Sequence, residues 1–264
     1  MLRVGGGRNG RLGSPALVVE NGYMPQAIRP RTARAIELRG LRPVVGDYAR
    51  FGAGVLTGLP RSKRGARGRF FFDGGEYSYL YHRYKFTWLT ERAVEVPIAQ
   101  ALVDRHRGDR ILEVGNVLSH YRDQDHLVVD KYEHAAGIVN RDVLELGDLG
   151  VFDLVVAIST LEHAGRDEEP RDPDKAVAAI RALWHLLAPG GRLVLTVPVG
   201  YHEGLDAALS DGTVGPVWLR ALRRERLGPY WREVPPDTVW GTPYDFLLYS
   251  ARAVVVAEIR RPAG

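Results

Sequence analysis

Short runs of apolar residues that leave no polar side chain at alternate positions recur along the second half of the chain, and they constrain the fold more than any other feature. The clearest is Leu154-Val155-Val156-Ala157-Ile158, closed by Ser159-Thr160. A half-buried strand alternates polar and apolar residues, whereas a strand apolar at every position is covered on both faces, as parallel strands between helices are. Similar segments predict strands at Arg110 to Val114, His126 to Asp130, Gly137 to Asn140, Phe152 to Ile158, Arg192 to Val197 and Val254 to Arg260, with another between Tyr230 and Trp240. Between the fourth and fifth, Ala176, Val177, Ile180, Leu183, Trp184 and Leu187 form one helical face. Asp172 is placed to cap that helix, and Pro189-Gly190-Gly191 to end it. The pattern predicts a doubly wound α/β sheet.

The chain has 264 residues and no cysteine, which removes disulfides, thiolate nucleophiles and Cys-ligated zinc. No run approaches the roughly 20 apolar residues that span a bilayer, and the first residues lack an apolar signal core, so a cytoplasmic protein with no membrane partner is expected. The net charge of +4 averages two unlike parts. Residues 1–69 carry 14 Lys+Arg against 3 Asp+Glu, and residues 70–264 carry 22 against 29. The basic excess is thus local, and 32 of the 36 basic residues are Arg. A basic tail supplies only sequence-independent attraction, so nucleic acid is not the expected partner.

Three regions follow. Residues 1–40, with Gly5-Gly6-Gly7, Pro15, Pro25, Pro30 and scattered Arg, read as a partly mobile leader in which only Ala16 to Val19 resembles a strand. Residues 41–91 read as an arm or cap. They include an exposed basic loop, Arg61 to Arg69, and an aromatic stretch, Phe70-Phe71-Phe72 to Trp88, that contains an Asp73-Gly74-Gly75 turn. Residues 92–264 form the α/β domain, entered through a helical pattern from Thr90 to Leu102 that Pro97 kinks.

Ligands of such sheets bind at the carboxyl ends of the strands, where the strand order reverses. After the first strand stands Gly115, which allows close backbone approach, and the following helix N-terminus would offer free amides. The dinucleotide fingerprint needs three glycines there, and only Gly115 is present, which counts against a nicotinamide or flavin enzyme. After the second strand, Asp130 is placed to accept from two ribose hydroxyls, with Lys131 next to it. After the third, Asp142-Val143 offers a carboxylate to an exocyclic adenine amine.

In these segments, and in Thr160-Leu161-Glu162-His163 and Leu187-Ala188-Pro189-Gly190-Gly191, the chain resembles the class I S-adenosylmethionine-dependent methyltransferases. Tyr79 to Pro97 and Val114 to Tyr121 look like a bacterial subgroup of polysaccharide and natural-product sugar pathways. The resemblance implies a seven-stranded Rossmann-like sheet whose last strand is antiparallel, with S-adenosylmethionine as cofactor. Gly115 and Asn116 would lie beside its methionine portion, Asp130 would take its ribose, and Asp142 with the Val143 backbone its adenine; Glu113, Ser119 and Lys131 are expected among the cofactor-binding residues. Ser159 and Thr160 would line the pocket near the sulfonium. The departure is at Asn116 and Leu118, where the family carries further glycines.

For a hydroxyl acceptor, a histidine near the methyl is the natural base. His163, heading a helix after the fourth strand, and His202, in the loop after the fifth, are the candidates. Glu162 and His163 alone supply two metal ligands, so no metal is expected. The acceptor expected from the resemblance is a sugar or glycosylated metabolite, and a homo-oligomer is compatible with the sequence. A nucleic-acid methyltransferase and a non-catalytic binding protein of the same fold are the alternatives.

Overall fold

The apolar runs pair side by side in one sheet. In the computed structural model, which describes residues 25–63 and 68–264, the chain forms α1 (Pro25–Arg39), α2 (Leu41–Lys63), β1 (Arg69–Phe72), β2 (Gly75–Ser78), α3 (Arg92–Arg105), β3 (Ile111–Val114), β4 (Leu127–Val129), β5 (Ile138–Val139), β6 (Phe152–Ile158), α4 (Lys175–His185), β7 (Leu187–Pro198), α5 (Glu203–Ser210), β8 (Trp218–Arg226), β9 (Tyr230–Val234) and β10 (Ala253–Arg260). The main sheet has the order β5-β4-β3-β6-β7-β10-β8-β9. Strands β5, β4, β3, β6 and β7 are parallel, and β10 runs antiparallel to both β7 and β8. The chain leaves β3 outward to β4 and β5, then returns to β6 on the other side. The strand order therefore reverses at the β3–β6 pair. This is a Rossmann-like α/β fold.

Successive residues of β6 feed opposite faces. Val155 and Ala157 pack with α4 and α5 through Ile180, Leu183, Leu205 and Leu209. Leu154, Val156 and Ile158 pack with α3 and the β1–β2 hairpin through Val94, Ile98, Phe70 and Phe72. Burial on both faces is what makes the run apolar at every position.

The sheet has eight strands rather than the seven expected, because β8 and β9 form a hairpin on the far edge. β8 escapes a sequence reading because four of the nine residues in its WLRALRRER run are arginine. Two of its guanidinium groups lie against rings: Arg224, partly buried, is 5.5 Å from the Trp231 centroid, and Arg226, exposed, is 3.7 Å from that of Tyr230. β7 begins at Leu187, ahead of the expected Arg192. Phe152 pairs with Leu187 and Leu154 with Arg192, so Pro189-Gly190-Gly191 bulges within a strand.

The crossovers β3–β4, β4–β5 and β5–β6 contain no α-helix, contrary to the expected alternation. Their amides go to side chains. Glu113 Oε1 accepts from the Val117 and Leu118 N–H groups, Asp130 Oδ1 from Tyr132 and Glu133, and Asp142 Oδ1 from Leu144. Local carboxylate capture of this kind competes with helix formation.

Residues 25–39 and 41–63 are helical where a leader and the start of an arm were expected; Ala16 to Val19 and residues 64–67 lie outside the described residues. Gly40, at φ 83°, ends α1 and donates to Ile36 O at 2.8 Å. α2 docks through Gly54 and Gly58, one turn apart. Trp88 Nε1 donates to Gly54 O at 2.9 Å, and a Cβ on Gly58 would overlap the Trp88 indole.

Candidate functional site

The carboxyl ends of β3, β4, β5 and β6 converge at the reversal point. Gly115 has φ 84°, and an added Cβ would run into the Thr160 side chain, so both backbone and space exclude other residues. The following turn clasps the end of the next strand. Asn116 N–H donates to Asp130 Oδ2 at 2.9 Å, Asn116 Nδ2 donates to Glu133 Oε1 at 2.7 Å, and Ser119 Oγ donates to Asn116 Oδ1. Beneath it Glu113, fully buried, spends Oε1 on two amides and Oε2 on His126 Nε2 at 2.8 Å.

Beyond β5, Asp142 Oδ2 lies 2.6 Å from Lys175 Nζ and 2.9 Å from Lys131 Nζ, and both lysines also reach Glu168. Burial alone would raise the Asp142 pKa, but the Leu144 amide and the two ammonium groups hold it down to about 2. The carboxylate is a permanent anion with acceptor capacity left. Next to it, the Val143 N–H meets no acceptor among the described residues.

At the end of β6 the backbone twists to φ 40° at Ser159. Ser159 Oγ donates to Glu95 Oε1 at 2.5 Å, and Arg92 reaches Glu95 Oε2 at 3.2 Å and Ile158 O at 3.0 Å. Burial raises the Glu95 carboxyl, although Arg92 opposes the shift. A second buried acid follows. Glu162 is 1% exposed, its Oε2 has no partner, and burial pushes its pKa up to about 8, with Glu95 adding to the shift.

His163, partly exposed in the 3₁₀ turn Leu161–His163, holds Asp167 Oδ2 at 2.5 Å through Nδ1. Tyr201 Oη donates to the same oxygen at 2.5 Å and meets Tyr249 Oη at 2.9 Å. The Nδ1–Asp167 bond leaves Nε2 facing Glu162 Oε1 at 3.7 Å. Burial lowers the His163 pKa, but the Asp167 bond and the charge of Glu162 more than offset it, and the net shift is upward. Around this pair stand Tyr201, Tyr244, Phe246 and Tyr249, with ring centroids 4.9–6.0 Å apart. The arrangement is an oriented base beside an aromatic wall. Its other end offers a carboxylate, Asp142, next to an unengaged amide.

No protein-family model matches the chain, and no curated protein matches it. Solved structures do. The chain is similar to the N-methyltransferase NodS from Bradyrhizobium japonicum WM9 in complex with S-adenosyl-L-homocysteine, at 16% identity over 65% of this chain and 91% of that one, with a TM-score of 0.38. It is similar to the magnesium protoporphyrin IX methyltransferase ChlM from Synechocystis PCC 6803 with bound S-adenosylmethionine, at 16% identity, 62% and 76% coverage and a TM-score of 0.35. It is also similar to the [4+2]-cyclase SpnF, at 16% identity, 80% and 94% coverage and a TM-score of 0.40. At these distances the chemistry has to be read from the site itself.

The residues singled out in the sequence divide into two groups. Gly115, Asn116, Asp130, Lys131, Asp142, Val143, Ser159, Thr160 and His163 come together at one edge. Glu113 supports that edge from inside and presents no free oxygen. Ser119, exposed, is tied to Asn116. His202 does different work from the base expected: its Nδ1 accepts from Leu205 N–H at 3.0 Å, capping α5, and its ring is 5% exposed. Burial and the Arg166 charge lower its pKa, consistent with a neutral cap. Four contributors were not legible beforehand. Arg92 and Glu95 come from α3, Asp167 from the loop after β6, and Tyr201 from the turn after β7; only the i, i+4 spacing of His163 and Asp167 hinted at the pair. A cleft of about 630 Å³ lies at the opposite, amino edge, lined by Asp104, Arg110, Arg122 and Asp125 among others, away from all of these groups.

Proposed function

We propose that the protein is an S-adenosylmethionine-dependent methyltransferase that acts on a hydroxyl of a sugar or another small metabolite. The observation that carries this reading is the position of the Asp167–His163 pair directly beyond Ser159-Thr160, on the same strand edge as Gly115, Asp130 and Asp142-Val143. The unengaged Val143 N–H beside the Asp142 carboxylate suits a ring nitrogen and an adjacent amine, the pattern adenine presents. Asp130 keeps lone pairs for ribose hydroxyls beyond its three backbone bonds.

When bound, S-adenosylmethionine supplies a methyl group on a sulfonium, which needs no further activation. The protein's own share is alignment and proton removal. His163 takes the hydroxyl proton at Nε2. Asp167 keeps the imidazole in the tautomer with that nitrogen free and steadies the imidazolium that results. Tyr201 fixes Asp167, and the aromatic wall excludes water from the acceptor.

Methyl-labelled cofactor incubated with hydroxyl-bearing and amine-bearing acceptors, read by mass spectrometry, tests this reading. Label on oxygen, reduced about 10²–10⁴-fold in His163→Gln, is expected. Label on nitrogen alone, or a His163→Gln rate within about tenfold of wild type, contradicts it.

A further inference from the structure

Two guanidinium groups stand on the aromatic wall beside His163, and among the described residues no anion meets them. Arg31, on α1, lies with Cζ 4.9 Å from the centroid of the Tyr249 ring. Arg166, in the loop after β6, lies 4.8 Å from that of Tyr201 and 5.2 Å from that of Phe246. The rings connect the two cations, because Tyr201 and Tyr249 share an Oη–Oη hydrogen bond of 2.9 Å. Both arginines are half-buried, and among the described residues neither side chain makes a hydrogen bond or an ion pair. Asp167, the acid of this wall, spends Oδ2 on His163 and Tyr201. A guanidinium laid against a ring keeps its N–H donors, whose fork suits the paired oxygens of a carboxylate or phosphate.

The fold holds each part in place. α1 is folded back on α2 by a 2.7 Å bond between Thr32 Oγ1 and Tyr48 Oη and by the Arg39–Asp47 ion pair at 2.7 Å. α2 in turn is anchored on Trp88. Arg166 follows Gly165, at φ 72°, where a Cβ would run into Asp172 O, and the Arg166 and Asp167 N–H groups both donate to His163 O. Tyr249 lies at φ 50°, a conformation that a residue with a side chain keeps only where its surroundings enforce it. They do so here: Asp245 and Ser250 exchange backbone bonds of 3.2 Å across the turn, and Ser250 Oγ donates to Leu89 O at 2.9 Å. Charge points the same way. Glu162 keeps its proton at neutral pH, so Arg31 and Arg166 against Asp167 leave the wall one positive charge, and two once His163 has taken a proton. An anion on the acceptor offsets that charge.

We infer that the acceptor, on the function proposed above, carries an oxyanion, a carboxylate or a phosphate, which Arg31 and Arg166 hold against the Tyr201–Tyr249 wall while its hydroxyl faces His163. The α1–α2 arm then has a role, to bring a second cation to the acceptor site.

The probes are glucose 6-phosphate, glucuronate and methyl glucoside: a phosphate, a carboxylate and a neutral sugar of similar size. Each is titrated into ¹⁵N-labelled protein while the arginine Nε–Hε signals are followed, with Arg31→Gln and Arg166→Gln assigning the two. The expected result is saturable shifts of both signals with at least one anionic sugar, bound about 10-fold or more tighter than methyl glucoside, and a further loss of about 10-fold in each Gln variant. The tighter of the two anions identifies the oxyanion. Arg31→Lys keeps the charge but not the fork, and should fall between wild type and Arg31→Gln, which a loss of fold would not produce. Arg42→Gln removes the same charge from an exposed part of the arm and should stay within about 2-fold of wild type. No preference over methyl glucoside, no shift at either arginine, or an equal loss in Arg42→Gln overturns the inference. Methyl transfer to a neutral acceptor at a rate unchanged in Arg31→Gln and Arg166→Gln also overturns it, and leaves the methyltransferase reading intact. Anion binding at both arginines by a protein that binds no S-adenosylhomocysteine fails that reading instead, and the acceptor role of the anion with it.

Discussion

Replacing Glu162 by Gln should make the protein's stability less sensitive to alkali, and the size of the effect follows from the burial of this one side chain. Glu162 is 1% exposed, its Oε2 has no partner, and its pKa stands near 8 in the folded state against 4.5 for the unperturbed group. Between those values the native state keeps a proton that the unfolded chain has released. Stability therefore falls as pH rises through that window, and is unaffected by this group below it. At about 1.4 kcal/mol per pKa unit, the ceiling is about 5 kcal/mol. Water entry and relaxation around the ionised carboxylate reduce this to an expected loss of about 2–3 kcal/mol between pH 5 and pH 9. The amide is isosteric and cannot ionise, so Glu162→Gln should lack that component. Urea unfolding of both proteins at pH 5 and pH 9 supplies the four free energies needed, and the difference of differences cancels groups such as Asp206 that titrate in the same range. A pH dependence identical in the two proteins within about 0.5 kcal/mol would refute the argument that this carboxyl is buried without compensation.

Three further outcomes follow from the same geometry. Asp167→Asn removes the anion that raises His163, so the rising limb of the pH–rate profile should move to lower pH while kcat drops about 10²-fold or more; an unmoved limb excludes His163 as the titrating base. His202→Ala should cost about 1 kcal/mol in thermal or urea unfolding through loss of the α5 cap, with the shape of the pH–rate profile unchanged. Gly58→Ala, although alanine is the better helix former, should destabilise by about 1–3 kcal/mol because its methyl meets the Trp88 indole; equal or greater stability would show that α2 is not docked there.

The parts of the fold that could be read from the sequence are those with a single physical cause. Leu154 to Ile158 is apolar at every position because both faces of β6 are covered, and its short length and β-branched valines favour a strand over a buried helix. α1 and α2 were not legible. Gly40, Gly46, Gly52, Gly54 and Gly58, with Pro43 and Pro60, dilute helix propensity, and the reason for two of those glycines, Trp88 and Leu89, lies far along the chain. β8 was hidden because arginine stems and indole faces replace aliphatic residues. At the site, the positions of Gly115, Asp130, Asp142 and His163 follow from where strands end. Their present bonds do not: a carboxylate after a strand serves a ligand or caps a turn with equal sequence cost, and Asp130 has both oxygens drawn toward backbone amides while Glu113 gives one oxygen to two amides and the other to His126. Asp167 and Tyr201 were missed because their importance comes only from meeting His163 in space.

Which edge of the sheet takes the cofactor is tested most directly by amide chemical-shift mapping of the ¹⁵N-labelled protein during titration with S-adenosylhomocysteine. Saturable shifts confined to Gly115, Asn116, Asp130, Asp142 and Val143, with Val143 N–H moving downfield as it gains an acceptor, are the predicted result. Shifts concentrated in Asp104 to Arg110 and Arg122 to His126, the lining of the amino-edge cleft, or no shifts at all, would contradict a cofactor site at the carboxyl edge.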